Sequence, residues 1–312
     1  DNLCNSSKEI IPIIEKITKK NIILYEFSID NKVKLKDVFK NHNIEEVIHF
    51  AALKSVSESI SNPLKYYKNN VTSTITLLEV MEEYNCKKLI FSSSATVYGN
   101  SQSPLNENSQ IGNGITNPYG QTKYMTEIIL RDYCKKNNDM MIIALRYFNP
   151  IGAHESGLIG ENPNGIPNNL MPYILKVSLQ NNSNIFLADC YNKLKIFGNN
   201  YQTKDKTCIR DYIHVVDLAK AHIKGLLHMK KGYNVYNIGT GKGTTVLELI
   251  NTFMRVNKVK VPYEFVNRRE GDQEEVFCNS DKANKELSWK AVLTIENMCK
   301  DSWIYIKNKN IF

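Results

Sequence analysis

Short apolar runs alternate with helical patterns through the first half of this chain. Apolar residues recur at helical spacing in three stretches, residues 10–17, 34–41 and 71–83. Continuous apolar runs short enough for buried strands fall at residues 22–25, 47–51, 89–91 and 141–147. This alternation predicts an α/β fold, a Rossmann-like doubly wound parallel sheet with helices on both faces.

Polar and aromatic residues follow three of the predicted strands at the point where each strand ends. These segments are residues 50–52 (Phe-Ala-Ala), 92–94 (Ser-Ser-Ser) and 148–150 (Phe-Asn-Pro). Because ligands of open α/β sheets bind beyond the carboxyl ends of the strands, we expect the three segments to border one site.

Tyr119 and Lys123 lie four residues apart in N-P-Y-G-Q-T-K, within a predicted helix, and so share one helical face. A nearby ammonium favours the ionised form of a phenol, whose ordinary pKa is about 10. Tyr119 is therefore a candidate proton acceptor, and Ser94 is a second hydroxyl that can hold a substrate alcohol. The spacing alone fits a surface Tyr and Lys equally well. The convergence of strand ends on this helix favours the catalytic interpretation.

The pattern changes after Pro150, where Gly- and Pro-rich segments interrupt the regular alternation. We expect a first domain at residues 1–150 and a smaller α+β domain at 151–312, with some segments of the second half returning to the first. Residues 181–192 are Asn-rich and are predicted to be a surface insertion of no assigned role. Residues 281–307 are predicted to form terminal helices, anchored by Trp289 and Trp303.

The composition argues against nucleic acid, membranes and metal ions as partners. The 312-residue chain carries a net charge of +8, but its lysines are scattered among acids and no nucleic-acid-binding motif accompanies them. No apolar run approaches the roughly 18 residues that span a bilayer. The seven cysteines form no C-x-x-C pair, which is typical of reduced thiols in a cytoplasmic protein. The six histidines never fall at metal-ligand spacing, so no metal is expected.

Two sequence features resemble functional motifs but are given no functional role. The glycine-rich run at 239–243 lacks the first glycine and the Ser or Thr of a P-loop, so a turn between a strand and a helix is the better interpretation. His214 is interpreted as structural and is given no catalytic role.

At this point the chain resembles the UDP-glucose 4-epimerase family of extended short-chain dehydrogenases/reductases. The resemblance covers essentially the whole chain apart from the Asn-rich insertion. Its motifs are D-N-L-C-N-S at 1–6, V-I-H-F-A-A-L-K at 47–54, F-S-S-S-A-T-V-Y-G at 91–99, N-P-Y-G-Q-T-K at 117–123, R-Y-F-N-P-I-G-A-H at 146–154, G-I-P-N-N-L-M-P-Y at 165–173, R-D-Y-I-H at 210–214 and R-R-E-G-D at 268–272.

The resemblance implies an NAD-dependent interconversion of UDP-galactose and UDP-glucose through a 4-keto sugar, as part of galactose metabolism. Tyr119 would take the proton of the sugar 4-hydroxyl and Ser94 would hydrogen-bond the 4-oxygen. Lys123 would hold the nicotinamide ribose and lower the pKa of Tyr119 by its charge. Family members also associate through the helix of the catalytic Tyr, so a homodimer is expected by analogy.

The same resemblance assigns the two ligand shells. The residues expected to line NAD are Asp1, Asn2, Asn5, Ser6, Ser28, Ile29, Phe50, Ala51, Ala52, Lys54, Asn69, Tyr119, Lys123 and Phe148. Asp1 would bind the adenosine ribose hydroxyls, which favours NAD over NADP. Those expected to hold the UDP-sugar are Ser94, Asn149, Asn168, Asn169, Leu170, Phe197, Arg210, Arg269 and Asp272. The arginines would clamp the diphosphate, because a planar guanidinium matches phosphate oxygens.

The chain also departs from the family pattern. The family's first strand and glycine-rich turn, which cradle the NAD pyrophosphate, would precede Asp1, so we expect roughly one βαβ unit to be missing from this chain. Ser28 replaces a usual Asp, and Ala52 replaces a usual Gly. Val276 occupies the position that gates the sugar C2 substituent, and its intermediate size predicts partial use of UDP-N-acetylhexosamines.

Two alternatives to the epimerase function remain open from the sequence. One is another sugar-nucleotide-modifying enzyme of the same fold, although Ala95 and Thr96 replace the Asp-Glu pair typical of dehydratases. The other is a catalytically inert relative that acts as a binding module. The missing glycine-rich unit favours the inert relative, and the intact Ser94, Tyr119 and Lys123 disfavour it.

Overall fold

The computed structural model describes residues 1–162, 169–182, 192–269 and 271–309. The α-helices of this part are α1 (Ile10–Thr18), α2 (Lys32–Asn41), α3 (Val56–Ser61), α4 (Pro63–Tyr66), α5 (Ser73–Glu83), α6 (Pro118–Lys136), α7 (Leu170–Asn182), α8 (Val215–Leu227), α9 (Val246–Asn257), α10 (Asp281–Glu286) and α11 (Ile295–Asn308). The strands are β1 (Glu46–His49), β2 (Lys88–Ser94), β3 (Met141–Tyr147), β4 (Asn149–Ile151), β5 (Leu194–Phe197), β6 (Ile209–Arg210), β7 (Tyr212–His214), β8 (Gly232–Ile238), β9 (Thr244–Thr245), β10 (Tyr263–Val266) and β11 (Glu275–Val276).

The main sheet is parallel, with the strand order β1-β2-β3-β8. Its register aligns the strand ends, because Ser94 of β2 lies opposite Tyr147 of β3, which lies opposite Ile238 of β8. The predicted parallel α/β sheet is therefore confirmed. The predicted strands at 89–91 and 141–147 correspond to β2 and β3.

Alternate residues of these strands bury opposite faces of the sheet. Leu89 and Ile142 pack into one apolar cluster with residues of α2, α5 and α6. Ile90 and Ile143 pack into a second cluster with residues of α8 and α10. Each fully buried side chain of this kind stabilises the fold by about 1.5–3 kcal/mol relative to an exposed one. Helices thus cover both faces, as a doubly wound sheet requires.

The predicted strand at residues 22–25 is wrong, since these residues lie in no strand of the structure. A strand needs a ladder of backbone hydrogen bonds. The bonds found here are single ones: the Phe27 N–H donates to the Asp1 carbonyl over 3.0 Å, and the Asp1 amino group donates to the Tyr25 carbonyl over 3.2 Å. Ile23 is left 67% exposed, so the segment buries little.

Two other predicted elements are shifted. The strand predicted at 47–51 ends at His49, which leaves Phe50 and Ala51 just beyond the sheet. The helix predicted at 71–83 begins with a π-helical turn, Tyr67–Thr72, before it continues as α5. Such turns are frequent at functional sites.

The second half of the chain builds another apolar core. Helices α7, α9 and α11 pack around Phe253 and Trp303, whose rings meet edge to face at 5.8 Å. Small sheets surround this core: β5 with β10, β4 with β7, and β6 with β9 and β11. Strand β8 and helix α10 come from the second half but join the main sheet and its cluster. The boundary near residue 150 stays a prediction.

The predicted terminal helices correspond to α10 and α11, and both tryptophans are buried. Most of the Asn-rich insertion, residues 183–191, lies outside the described residues. Within the described ranges, no helix is both long and apolar enough to cross a membrane.

Candidate active site

The first turn of α6 presents Tyr119 to the end of β2. Asn117 caps this helix, because its side chain accepts the Gly120 N–H over 2.8 Å, and Pro118 occupies the first turn, where a missing N–H costs nothing. Ser94 is the last residue of β2, and its side chain lies close enough to the Tyr119 hydroxyl to lower the pKa of that phenol. The two predicted hydroxyls are therefore brought together.

Thr96 determines that the Ser94 hydroxyl acts as a hydrogen-bond donor. The Ser94 Oγ accepts the Thr96 N–H over 3.2 Å and the Thr96 hydroxyl over 3.0 Å. With both lone pairs engaged, Ser94 can act only as a donor toward Tyr119 or a substrate oxygen. Sequence analysis gave Thr96 no role in the site, although it lies only two residues after Ser94.

Lys123 lies one turn further along α6 and is only 3% exposed. Its Nζ donates to the Ser92 carbonyl over 2.6 Å and lies 5.9 Å from the centroid of the Tyr119 ring. Burial lowers the pKa of Lys123 from 10.5 to about 7, and the Glu127 carboxylate raises it against that effect.

The expectation that Lys123 depresses the pKa of Tyr119 is not met by the protein groups alone. Burial raises the pKa of Tyr119, and the neighbouring Ser94 side chain acts against this by lowering it. The physical reason is that the Lys123 ammonium is itself disfavoured by burial and is directed at the Ser92 carbonyl. In this arrangement Tyr119 is a neutral phenol at neutral pH.

The loop after β1 begins with an exposed aromatic side chain. Phe50 is 56% exposed, and its ring centroid lies 4.6 Å from that of His222. Ala51 is exposed and Ala52 is half-buried. The Lys54 Nζ lies 3.2 Å from a Glu161 carboxylate oxygen.

Asn70 ties that loop to α6. Its side chain accepts the Leu53 N–H over 2.8 Å and donates to the Leu53 carbonyl and the Thr122 hydroxyl, both over 3.0 Å. Asn69, the predicted cofactor contact, donates to the Asn70 side chain over 2.9 Å. The π-helical turn thus places two successive asparagines, and sequence analysis identified only the first.

The segment predicted to bind adenosine lies on an exposed loop. One Asp1 carboxylate oxygen accepts the Leu3 N–H over 2.6 Å and the Ser6 hydroxyl over 3.2 Å. The Asn2 side chain accepts the Cys4 N–H over 3.2 Å, and Asn5 is also exposed. The bond from Phe27 to Asp1 brings the second predicted segment, Ser28 and Ile29, alongside, and both residues are half-buried.

A second cluster gathers two arginines around one carboxylate. Arg269 donates from Nε to Asp272 over 2.9 Å, and the Arg210 Nη2 lies 3.6 Å from the same carboxylate. The Arg269 guanidinium lies 4.8 Å from the centroid of the Phe197 ring, which is 36% exposed. Arg210 is fixed further by donating to the Gln273 carbonyl over 2.9 Å. Four residues predicted to bind UDP are therefore adjacent.

Two further predicted residues, Phe148 and Val276, meet in one apolar cluster. Phe148 is buried in an apolar cluster with Tyr98, Leu105 and Cys278, and Val276 packs against that cluster. Val276 also pairs with Arg210 across β11 and β6.

Three more of the residues predicted to contact the sugar lie in the described part of the chain. The Asn149 N–H donates to the Asp211 carbonyl over 3.0 Å. Asn169 donates to Glu161 over 3.2 Å, and Leu170 opens α7. Asn168 lies outside the described residues.

The glycine-rich run at 239–243 is a turn that wraps a buried carboxylate. Asp211 accepts the Thr240 N–H and hydroxyl over 2.8 and 2.6 Å and the Gly241 N–H over 3.0 Å. A Cβ on Gly239 would come within 2.6 Å of this carboxylate, so only glycine fits there. The run therefore holds β6 and β7 in place.

His214 is likewise structural. Its Nδ1 accepts the Val216 N–H over 3.1 Å and so caps α8, while its Nε2 lies 3.1 Å from Asp301. Among the described residues, no group of three His, Cys, Asp or Glu side chains is placed to hold a metal ion.

Fold and site together define the class of this protein. A parallel sheet whose strand end carries Ser94, facing Tyr119 and Lys123 on the next helix, is the arrangement of an extended short-chain dehydrogenase/reductase. Residues 2–239 match the model of the NAD dependent epimerase/dehydratase family, and the chain belongs to this family.

Similar proteins have been named as epimerases. The chain is 49% identical to UDP-glucose 4-epimerase of Bacillus subtilis (strain 168) over 97% of its own length and 87% of the relative's. It is 46% identical to the Bos taurus UDP-glucose 4-epimerase over 97% and 85% of the two lengths. The crystal structure of UDP-glucose 4-epimerase from Bifidobacterium longum, in complex with NAD+ and UDP, superposes with a TM-score of 0.93 at 45% identity, covering 100% of this chain and 91% of that one.

Proposed function

We propose that this protein interconverts UDP-galactose and UDP-glucose by NAD-dependent epimerisation at C4 of the sugar. The observation that carries the proposal is the placement of the Ser94 side chain next to the Tyr119 hydroxyl, with buried Lys123 at the same strand end. The identity of 49% to an epimerase over nearly the whole chain supports the same reaction.

The residues at the sheet edge fit NAD. Phe50 is a large aromatic side chain left 56% exposed at the edge where dinucleotides bind. The Asp1 carboxylate stands on an exposed loop, where it can accept from ribose hydroxyls. The other residues proposed to hold the cofactor are Asn2, Asn5, Ser6, Ser28, Ile29, Ala51, Ala52, Lys54, Asn69, Lys123 and Phe148. When bound, NAD supplies the redox chemistry, a reversible exchange of hydride with C4 of the sugar.

Three side chains handle the proton and the sugar oxygen. Tyr119 takes the proton of the 4-hydroxyl and later returns it. Ser94 holds the 4-oxygen by donating a hydrogen bond to it. Its Oγ already accepts two hydrogen bonds from Thr96, so its hydroxyl is left to act as a donor. Because burial raises the pKa of Tyr119, proton acceptance requires additional positive charge close to the phenol, which Lys123 provides only while it is protonated.

The arginine cluster serves the UDP end. We infer that Arg210 and Arg269 bind the diphosphate, Phe197 contacts the uracil ring and Asp272 accepts from the ribose. Asp272 already orients both guanidiniums, so the clamp is held in place before a ligand arrives. Asn149, Asn168, Asn169 and Leu170 are proposed to complete the sugar shell. In this division residues 1–150 bind NAD, and residues 151–312 mainly bind the UDP-sugar.

Val276 is proposed to set the size limit at C2 of the sugar. It is half-buried against the Phe148 cluster and paired with Arg210, so its side chain borders the proposed sugar site. We expect partial turnover of UDP-N-acetylgalactosamine and a faster rate after Val276→Ala. If the wild type epimerises UDP-galactose readily but never the acetylated sugar, and Val276→Ala does, then Val276 excludes the acetyl group and is not of intermediate size.

We propose further that the protein is a cytoplasmic homodimer that binds neither nucleic acid nor membranes. Apolar side chains stand exposed on the helices around α6: Ile60 at 62%, Leu64 at 81%, Ile75 at 40% and Met125 at 40%. Such a surface suits a second copy of the chain. The described cysteines are free thiols, which agrees with a reducing compartment.

One experiment separates the candidate functions. Purified protein is incubated with NAD+ and UDP-galactose, and the products are followed by proton NMR. The expected product is UDP-glucose, and Ser94→Ala and Tyr119→Phe lose activity while still binding UDP. A 4-keto-6-deoxy sugar or a pentose would assign another enzyme of this fold. UDP binding without any conversion would indicate a binding module.

A further inference from the structure

A buried ion pair lies directly behind Lys123 and has no part in the proposed reaction. Glu127 and Arg146 are joined by two hydrogen bonds, from Nε over 2.9 Å and from Nη2 over 2.6 Å. Their side chains are only 2% and 3% exposed. Removing two charges from water is costly, and apolar residues would often be as stable in such a place. The pair therefore calls for a role other than stability.

The position of Glu127 on α6 suggests that role. It follows Lys123 by four residues, so the two side chains share one helical face. They also reach successive residues of β2: Lys123 donates to the Ser92 carbonyl, and the Ser93 hydroxyl donates to Glu127. Strand β2 thus fixes the carboxylate beside the ammonium, and Arg146 of β3 fixes it from the other side.

Within the described part of the chain, burial and Glu127 are the two causes of the Lys123 pKa shift. His49 of β1 is buried and its pKa is lowered to about 3, by burial first and by Lys123 second, so it is neutral. Tyr119 on α6, Tyr147 and Tyr98 near β3 and Tyr233 of β8 have pKa values that burial raises, so they are neutral phenols. Arg146 stays charged and is engaged by Glu127.

We propose that Glu127 is a positioning residue whose carboxylate keeps Lys123 protonated at the working pH, with Arg146 holding that carboxylate in place. This inference rests on the proposed function, because a charged Lys123 matters only if the phenol of Tyr119 must ionise. Without Glu127 the buried amine would lose its proton below neutral pH. The phenol would then lose the charge that assists proton transfer.

The test is the Glu127→Gln variant, with two readouts. The first is the titration of Lys123 itself, followed by carbon NMR of protein labelled at the lysine Cε, with Lys123→Met to assign the resonance. For a charge about 5–6 Å away at an effective dielectric constant of about 20, we expect the Lys123 pKa to fall by about two units. The second readout is the alkaline limb of kcat/KM, which should move by the same amount to lower pH, since activity requires the charged amine.

Controls separate charge from packing. Glu127→Asp keeps the carboxylate and should retain a Lys123 pKa close to that of the wild type. If Glu127→Gln fails to fold because Arg146 is left unpaired, Glu127→Gln combined with Arg146→Met removes both charges and should still lower the Lys123 pKa.

An unchanged Lys123 pKa in a folded variant would overturn the inference. The NMR titration needs no turnover, so this outcome is distinguishable from failure of the proposed epimerase activity.

Discussion

Replacing Lys123 by Met should stabilise the ligand-free protein while abolishing activity. Each tenfold change in proton affinity is worth about 1.4 kcal/mol, so the fall of the Lys123 pKa from 10.5 to about 7 costs the folded protein about 5 kcal/mol while the amine is charged. Met has a similar length and no charge to desolvate. The substitution leaves the Ser92 carbonyl without its donor, which costs about 1–3 kcal/mol. The expected net gain is about 2–4 kcal/mol.

The gain depends on pH in a defined direction. Between about pH 7 and 10.5 the Lys123 amine is protonated in the unfolded chain and neutral in the folded protein. The contribution of Lys123 to the free energy of unfolding of the wild type therefore increases as the pH rises through this range. The advantage of Lys123→Met should therefore be full below pH 7 and should shrink toward pH 10. Urea unfolding of both proteins at pH 6, 7.5 and 9 measures it.

A matched control lies on the same helix. Lys135 is 70% exposed, so Lys135→Met should change the free energy of unfolding by less than about 0.5 kcal/mol, with little dependence on pH. If Lys123→Met is destabilising at pH 6, or its effect does not vary with pH, then burial does not penalise the charge of Lys123.

Three further substitutions test other parts of the structure. Asp272→Asn removes the charge that orients Arg210 and Arg269, so calorimetry should show UDP binding about 10–100-fold weaker, whereas an unchanged Kd would exclude the proposed clamp. Leu64→Lys places a charge on a side chain that is 81% exposed, and light scattering should show a monomer if this surface joins two copies; a dimer that persists would place the interface elsewhere. Trp303→Ala opens a cavity against Phe253 and should cost about 3–5 kcal/mol in urea unfolding, whereas a loss below 1 kcal/mol would contradict its role as an anchor.

The sequence determined the elements whose signal is local. The apolar run at 141–147 has the length and composition of a buried strand, and it is β3. The Asn-Pro pair before Tyr119 is a helix start, and α6 begins there. The order of motifs along the chain also indicated the family, because such long segments match residue by residue. In each case neighbouring residues along the chain supply the physical constraint.

Tertiary structure decided what depends on partners distant in the chain. Residues 22–25 have strand composition, yet without a ladder of backbone bonds they form none. Only packing places Arg146 against Glu127 and Phe148 beside Val276. The proton affinities of Tyr119 and Lys123 follow from desolvation by the whole fold, so the spacing of these residues could not indicate how burial shifts the two pKa values. The spacing of residues along the chain determines which side chains can lie close together, and burial in the folded protein determines their pKa values and therefore their charges.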